Sequence, residues 1–172
     1  QVRCNSVAGI GAGLRWKVTV GGQQGAASAP SIRYSAPTVS SIDAGSAVIS
    51  TRGTDTVVLN GDDFGPAGTV VTASYGPTGA EFFAGICTLT TPHSVVTCPT
   101  VAGAGQDLQW TLSAGGQTGS PSGAGITNRY EQPVITSLDV PIADGDALST
   151  AGGSLIYLYG TDFGPVGPNV QA

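Results

Sequence analysis

Charge is what this chain has least of. Lysine and arginine together number six and aspartate and glutamate eleven, so charged residues make up 10% of its 172 residues and the net charge is −5. A usual share is about 25%. Six cations cannot form the basic stripe that neutralises phosphates, so no nucleic acid partner is expected. Methionine is absent and histidine occurs once. That histidine, His93, follows Pro92 and has no carboxylate with a serine or cysteine companion nearby in sequence, which argues against general-base catalysis. Three cysteines with no C-x-x-C pair make a poor metal site. Glu81, Asp107 and Glu131 fall on different predicted elements, so no two form a glycosidase dyad. No catalytic, metal or cofactor site is expected, and the chain does not read as an enzyme. No run approaches the roughly 20 apolar residues that span a bilayer, and the N-terminus lacks a basic stretch followed by an apolar signal core. No membrane span is expected in this segment. Asn5, Asn60, Asn128 and Asn169 all lack the hydroxyl residue two places on that N-glycosylation requires.

Glycine, with 27 residues, is abundant, and serine plus threonine make about a fifth of the chain. Valine, isoleucine and threonine recur in short bursts between Gly and Pro, the pattern of a folded all-β chain rather than a disordered one.

The same phrases occur twice. Residues 4–22 read CNSVAGIGAGLRWKVTVGG and residues 98–116 read CPTVAGAGQDLQWTLSAGG. RYSAPTVSSID at 33–43 returns as RYEQPVITSLD at 129–139, and VVLNGDDFGPAG at 57–68 returns as IYLYGTDFGPVG at 156–167. The period of 94 to 99 residues suits one sandwich domain of about 100 residues and is too long for a short solenoid unit. The register divides the chain into the C-terminal half of one domain at 1–36, a complete domain at 37–132, and the N-terminal half of a further domain at 133–172. Half a sandwich exposes an apolar face and open strand edges. Two completions are expected: the chain is a piece of a longer array, or the front half of one chain docks on the back half of the next in a head-to-tail homopolymer.

Alternation of period 2 is clearest at Leu108, Trp110 and Leu112, and the earlier copy repeats it at Leu14, Trp16, Val18 and Val20. Both tryptophans read as core anchors. Further strands are expected at 38–42, 56–60, 69–75, 82–89, 94–98 and 125–130, with no helix. Tyr34 and Tyr130 stand three residues before Pro37 and Pro133, so the links between copies are short and stiffened by proline.

Taken in order, several marks resemble the IPT/TIG family of immunoglobulin-like domains. They are the openings at Pro37 and Pro133, the Arg-Gly or Gly-Gly before a strand, the G-x-D-F-G turns at Gly61 and Gly160, the Cys87-to-Cys98 spacing and the closing tyrosine. The resemblance implies tandem antiparallel β-sandwiches and says little about activity. Its DNA-contacting branch uses basic loops that are absent here. The Gly, Ser and Thr-rich composition is most similar to tandem arrays of microbial-eukaryote surface filaments of the mastigoneme kind, with plexin-type ectodomains a further relative. The function expected is therefore a structural subunit of an extracellular filament or cell-surface coat. The alternatives are an adhesion or receptor ectodomain binding protein or carbohydrate, and a noncatalytic module of a secreted carbohydrate-active enzyme.

Cys87 and Cys98 flank a predicted turn at a spacing that suits a disulfide, with free thiols or a metal as alternatives. Cys4 stands where Cys98 stands in its copy, so its partner is expected outside the window. Oxidised cysteines imply an extracellular setting. The acidic turns at Asp62, Asp63 and Asp162 read as turn structure with Phe64 and Phe163 tucked behind it, since one or two carboxylates fall short of a calcium shell. Ser28, Ser31, Thr38, Ser120 and Ser122 flank prolines and are candidate O-glycan acceptors, or turn residues. Tyr157 and Tyr159 read as outward-facing, a candidate interface or a cross-strand aromatic pair.

Overall fold

The computed structural model describes residues 1–140 and 148–166. They form thirteen strands and a single helical element, the 3-10 turn Ala44–Ser46. In chain order the strands are β1 (Thr19–Val20), β2 (Gln23–Gln24), β3 (Thr38–Ile42), β4 (Val48–Ile49), β5 (Thr56–Asp62), β6 (Val71–Gly76) and β7 (Phe82–Thr91). There follow β8 (Val95–Pro99), β9 (Gln109–Ala114), β10 (Gln117–Thr118), β11 (Arg129–Tyr130), β12 (Val134–Asp139) and β13 (Tyr157–Thr161).

Residues 37–132 hold one curled antiparallel sheet in the order β10-β9-β6-β7-β8-β5-β3. The curl comes from β7, the longest strand at ten residues. Its first part, through Cys87, pairs with β6, and its last part, from Thr88, pairs with β8. One strand thus serves two layers, the corner device of folded-over sheets. The layers close face to face where β3 returns against β9. The result is a sandwich-like all-β unit. The short parallel pair β4 and β11 seals one end, with Ile49 opposite Tyr130.

Alternation places the core. Val57, Leu59 and Gly61 on β5, Val71, Ala73 and Tyr75 on β6, and Trp110, Leu112 and Ala114 on β9 all point inward and are buried. On β7 the alternation breaks where the register slips between Ala73 and Ser74. The inward set passes from Ala84 to Cys87, which leaves Phe83 and Ile86 outside, each 69% exposed. A bulge changes phase in this way because one extra residue reverses every side chain beyond it.

The centre is aromatic. Tyr75 stacks on Trp110 with ring centroids 4.4 Å apart, and Phe82 meets Tyr130 edge-on at 5.6 Å. The buried polar atoms beside these rings are matched, whereas Gln117 Oε1, at the β9–β10 edge, is buried without a partner. Trp110 Nε1 donates to Asn128 Oδ1 at 3.2 Å, and Asn128 Nδ2 donates to the Ser46 carbonyl at 3.3 Å. An unmatched buried polar group would cost about 1–3 kcal/mol.

Six of the seven expected strands are present, with shifted ends. The seventh, expected at 125–130, begins in a turn closed by Ile126 N–H to the Gly123 carbonyl and is reduced to a bridge at Asn128 and the two residues of β11. The inward placement of Trp16, Val18 and Val20 is corrected: these side chains are 43%, 47% and 72% exposed. The layer that covers Trp110, with Tyr75 stacked on it, has no counterpart packed on Trp16 among the described residues. Phe64 is sealed in the core, whereas Phe163 is only partly buried.

Candidate functional site

The first cysteine pair is a disulfide. Cys87 and Cys98 lie on the β7–β8 hairpin, both buried, and their sulfurs are bonded. Closing a loop of 11 residues stabilises by about 3 kcal/mol in the chain-entropy model. Cys4 is exposed and unpaired among the described residues. A disulfide is compatible with a secreted or extracellular setting, and no helix among the described residues is long and apolar enough to cross a membrane.

Of the hydroxyl candidates, Ser31, Thr38 and Ser120 are exposed. Ser122 must be withdrawn. It is 8% exposed, its Oγ accepts the Trp110 N–H at 3.1 Å, and the same hydroxyl donates to the Ile126 carbonyl at 2.6 Å. A glycan has neither room nor a free hydroxyl there. Ser28 makes the same contact to Trp16, at 3.0 Å, but stands exposed.

Ser28 and Ser122 belong to a longer correspondence. Leu14 N–H donates to the Ile32 carbonyl as Leu108 N–H does to Asn128, and Gly25 N–H to Val18 as Gly119 N–H does to Leu112. Ser28 N–H reaches Trp16 as Ser122 N–H reaches Trp110, and Tyr34 N–H reaches Gly11 as Tyr130 N–H reaches Gly105, all eight bonds between 2.8 and 2.9 Å. Val20 and Gln23 face each other across Gly21-Gly22 as Ala114 and Gln117 do across Gly115-Gly116. All four glycines have positive φ, the requirement of a two-residue type I′ hairpin, which explains the repeated Gly-Gly. The hydroxyl of Tyr34 donates to the Val7 carbonyl as that of Tyr130 does to Val101.

The other flank matches the front of the central unit. β12 pairs with β13 through the register of β3 with β5, with the slip at Ile135/Ser137 where the central unit has it at Val39/Ser41. Thr136 Oγ1 donates to the Tyr159 carbonyl at 3.1 Å as Ser40 Oγ does to Asn60 at 3.2 Å. A Cβ at Gly160 would lie 1.9 Å from the Val134 carbonyl oxygen, and one at Gly61 equally close to that of Thr38. Only glycine fits either position. Tyr157 and Tyr159 are 46% and 52% exposed, but Leu158 between them is exposed too. Both faces of β13 are therefore open, and the tyrosines share their exposure with the face that in β5 forms core. The rest of the segment 133–172 includes 141–147 and 167–172, which lie outside the described residues.

Side chains also meet between the flanks and the central unit. Gln117 Nε2 donates to the Tyr34 carbonyl at 2.9 Å. Ile10 fills the space beside Gly65 and Gly115, where added Cβ atoms would come within 2.6 and 2.9 Å of it. At the other end Thr51 Oγ1 donates to Asp162 Oδ1 at 3.0 Å. Hydrogen bonds from the Thr161 and Thr51 side chains hold the Asp162 carboxyl below its ordinary range, while the Asp162 charge pushes the Glu131 carboxyl up. At the same end, a Cβ added at Gly164 would lie 2.9 Å from that of Ala104. Sequence reasoning missed Ile10, Thr51, Gln117 and Ala104. The one available signal was that Ile10 and Ala104 share a position inside the repeated phrase.

Among the described residues no group of three or more His, Cys, Asp or Glu side chains is placed to hold a metal ion. Asp63 and Asp162, both at positive φ, are the turn residues of G-D-D-F-G and G-T-D-F-G. In comparisons with protein-family models, curated proteins and solved structures, the chain matches none.

Proposed function

We propose that this chain is a stretch of an extracellular structural array, a filament or cell-surface coat, in which immunoglobulin-like sandwiches of the IPT/TIG kind follow one another end to end. The units are the back half of a domain at 1–36, a whole domain at 37–132 and the front half of another at 133–172. The observation that carries this reading is the agreement of four backbone bonds and the Gly-Gly hairpin between 11–34 and 105–130, and of the β12–β13 register with that of β3–β5. Each flank keeps the internal bonds of half a unit while leaving its apolar side chains open, so each calls for a complement. That complement is supplied by the same chain continuing or, in a head-to-tail homopolymer, by the next copy. Surface hydroxyls at Ser31, Thr38 and Ser120 suit covalent O-glycans, which would keep a weakly charged surface soluble. Electron microscopy of the native material tests the array: an axial repeat set by the domain length is expected, and monodisperse particles with no axial repeat would overturn it.

A second reading, an adhesion or receptor ectodomain, is favoured by Phe83 and Ile86. Both stand out from the same sheet face at 69% exposure. A soluble central unit that binds no protein or glycan through that face would remove this alternative.

A further inference from the structure

We propose that the D-F-G turn opening each unit is a socket for the unit before it, so that consecutive units dock in one fixed geometry. The inference rests on the array reading and adds to it the identity of the joint.

Two joints lie within the chain, and they are built from equivalent residues. At the first, Ile10 of the preceding segment sits where a Cβ of Gly65 would be, 2.6 Å from its Cγ2. At the second, Ala104, which occupies the place of Ile10 in the next copy, sits where a Cβ of Gly164 would be, 2.9 Å from its own Cβ. Gly65 and Gly164 each follow the phenylalanine of a D-F-G-P turn. The glycine leaves a hollow, which Ile10 shares at Gly65 with Thr69 of the same unit, 2.5 Å from that Cβ through its Oγ1, and which Ala104 takes at Gly164. Nothing in the internal geometry of a unit requires this coincidence, because Ile10 and Ala104 belong to different copies from the turns they touch.

A polar bond fixes the orientation at the second joint. Thr51, itself 6% exposed, directs its hydroxyl out of the central unit onto Asp162 of the following turn. Asp63 holds the equivalent place in the first turn, at φ 63° against 60° for Asp162. The linkers between Tyr34 and Pro37 and between Tyr130 and Pro133 are too short to let the units drift, and the residue before each proline is held extended. The contact is heterologous, the trailing loops of one unit against the leading turn of the next. A heterologous contact whose rotation does not close builds an open rod or helix.

The test uses the full chain, isotope-labelled, with residual dipolar couplings measured for 38–130 and for 148–166. In the parent protein and in Ala104→Ile, which copies the residue the first joint already accepts, both regions are expected to share one alignment. In Ala104→Asp, which places a charge in the hollow from an exposed loop position, the shared alignment is expected to be lost. The couplings within 38–130 report that the central unit stays folded in each variant. Independent alignment in the parent, or a shared alignment that survives Ala104→Asp, would overturn the socket. The two readings separate: an axial repeat in native material whose units align independently leaves the array and removes the socket, and locked units in native material with no axial repeat do the reverse.

Discussion

Trp16 and Trp110 hold the same hydrogen bond, from their own backbone amide to a serine hydroxyl twelve residues on, yet Trp110 is sealed and Trp16 is 43% exposed. The backbone bonding is matched in both copies and the burial is found in only one. Strand-level structure is therefore set by residues close in sequence, and the core by the layer that covers it.

A collisional quencher separates the two tryptophans. In the isolated chain, acrylamide is expected to quench the Trp16 emission strongly and that of Trp110 weakly, which Trp16→Phe and Trp110→Phe assign. Trp110→Ala should cost the central unit about 3–5 kcal/mol in urea unfolding, and Trp16→Ala almost nothing. Equal quenching, or equal costs, would contradict the burial difference.

Three bonds close a ring around Val101, and they predict an asymmetry. Val101 N–H donates to the Tyr75 hydroxyl at 2.9 Å, the Tyr75 and Tyr130 hydroxyls lie 2.7 Å apart, and Tyr130 O–H donates to the Val101 carbonyl at 2.7 Å. In Tyr130→Phe the Tyr75 hydroxyl still reaches the Val101 carbonyl, 3.3 Å away, so the loss should be about 1 kcal/mol. Tyr75→Phe strands the Val101 N–H with no second acceptor and should cost about 1–3 kcal/mol. Denaturant unfolding of the two variants decides, and an equal or reversed order would count against the ring. Burial, then the Tyr75 bond, raises the Tyr130 phenol above its usual value of 10.0. With the folded value raised, this stabilisation is fully present below pH 10 and is lost as pH rises beyond it.

Much of this was legible in sequence because it is local. Six of the seven expected strands follow from alternation, the Gly-Gly hairpins from their φ requirement, and the disulfide from spacing across a turn. The placement of Trp16 was not legible, because alternation says which residues share a face and not whether a second layer lies over it. Ser122 looked like an exposed proline-flanked hydroxyl and is instead the buried partner of the Trp110 amide, a contact between segments that no local pattern announces. The joint contacts of Ile10 and Ala104 were hidden for the same reason: small and apolar loop residues carry no periodic signal.

The hairpin tip between β6 and β7 carries a carboxylate with an unusual titration. Glu81 accepts from Thr78 N–H at 3.1 and 3.2 Å, from the Thr78 hydroxyl and from Ala80 N–H at 3.2 Å. The Thr78 side chain foremost, with these amides, lowers its pKa from 4.5 to about 2. A depressed folded value means the contribution is present above 4.5 and is lost as pH falls through about 2. The Thr78 amide resonance should therefore titrate with a midpoint near 2, and Glu81→Gln should abolish the step. A midpoint at the ordinary carboxylate value would show that the turn does not hold the carboxylate.

Glycan placement distinguishes a completed array from a set of open halves. Ser122 is inaccessible in the whole unit, and Ser28 repeats its bond to a tryptophan amide while standing open in the flank. If a neighbour covers 1–36 as the central unit covers 98–130, Ser28 becomes as inaccessible as Ser122. Hydroxyls that lie outward in both settings, among them Ser31, Thr38 and Ser120, keep their exposure. Glycopeptide mapping of native material is therefore expected to find sugar on members of the second group and none on Ser28 or Ser122. Sugar on Ser122 would contradict the fold of the central unit. Sugar on Ser28 alone would leave that fold intact and show that the first segment is never covered, because a completed sandwich has no space for a glycan beside its tryptophan.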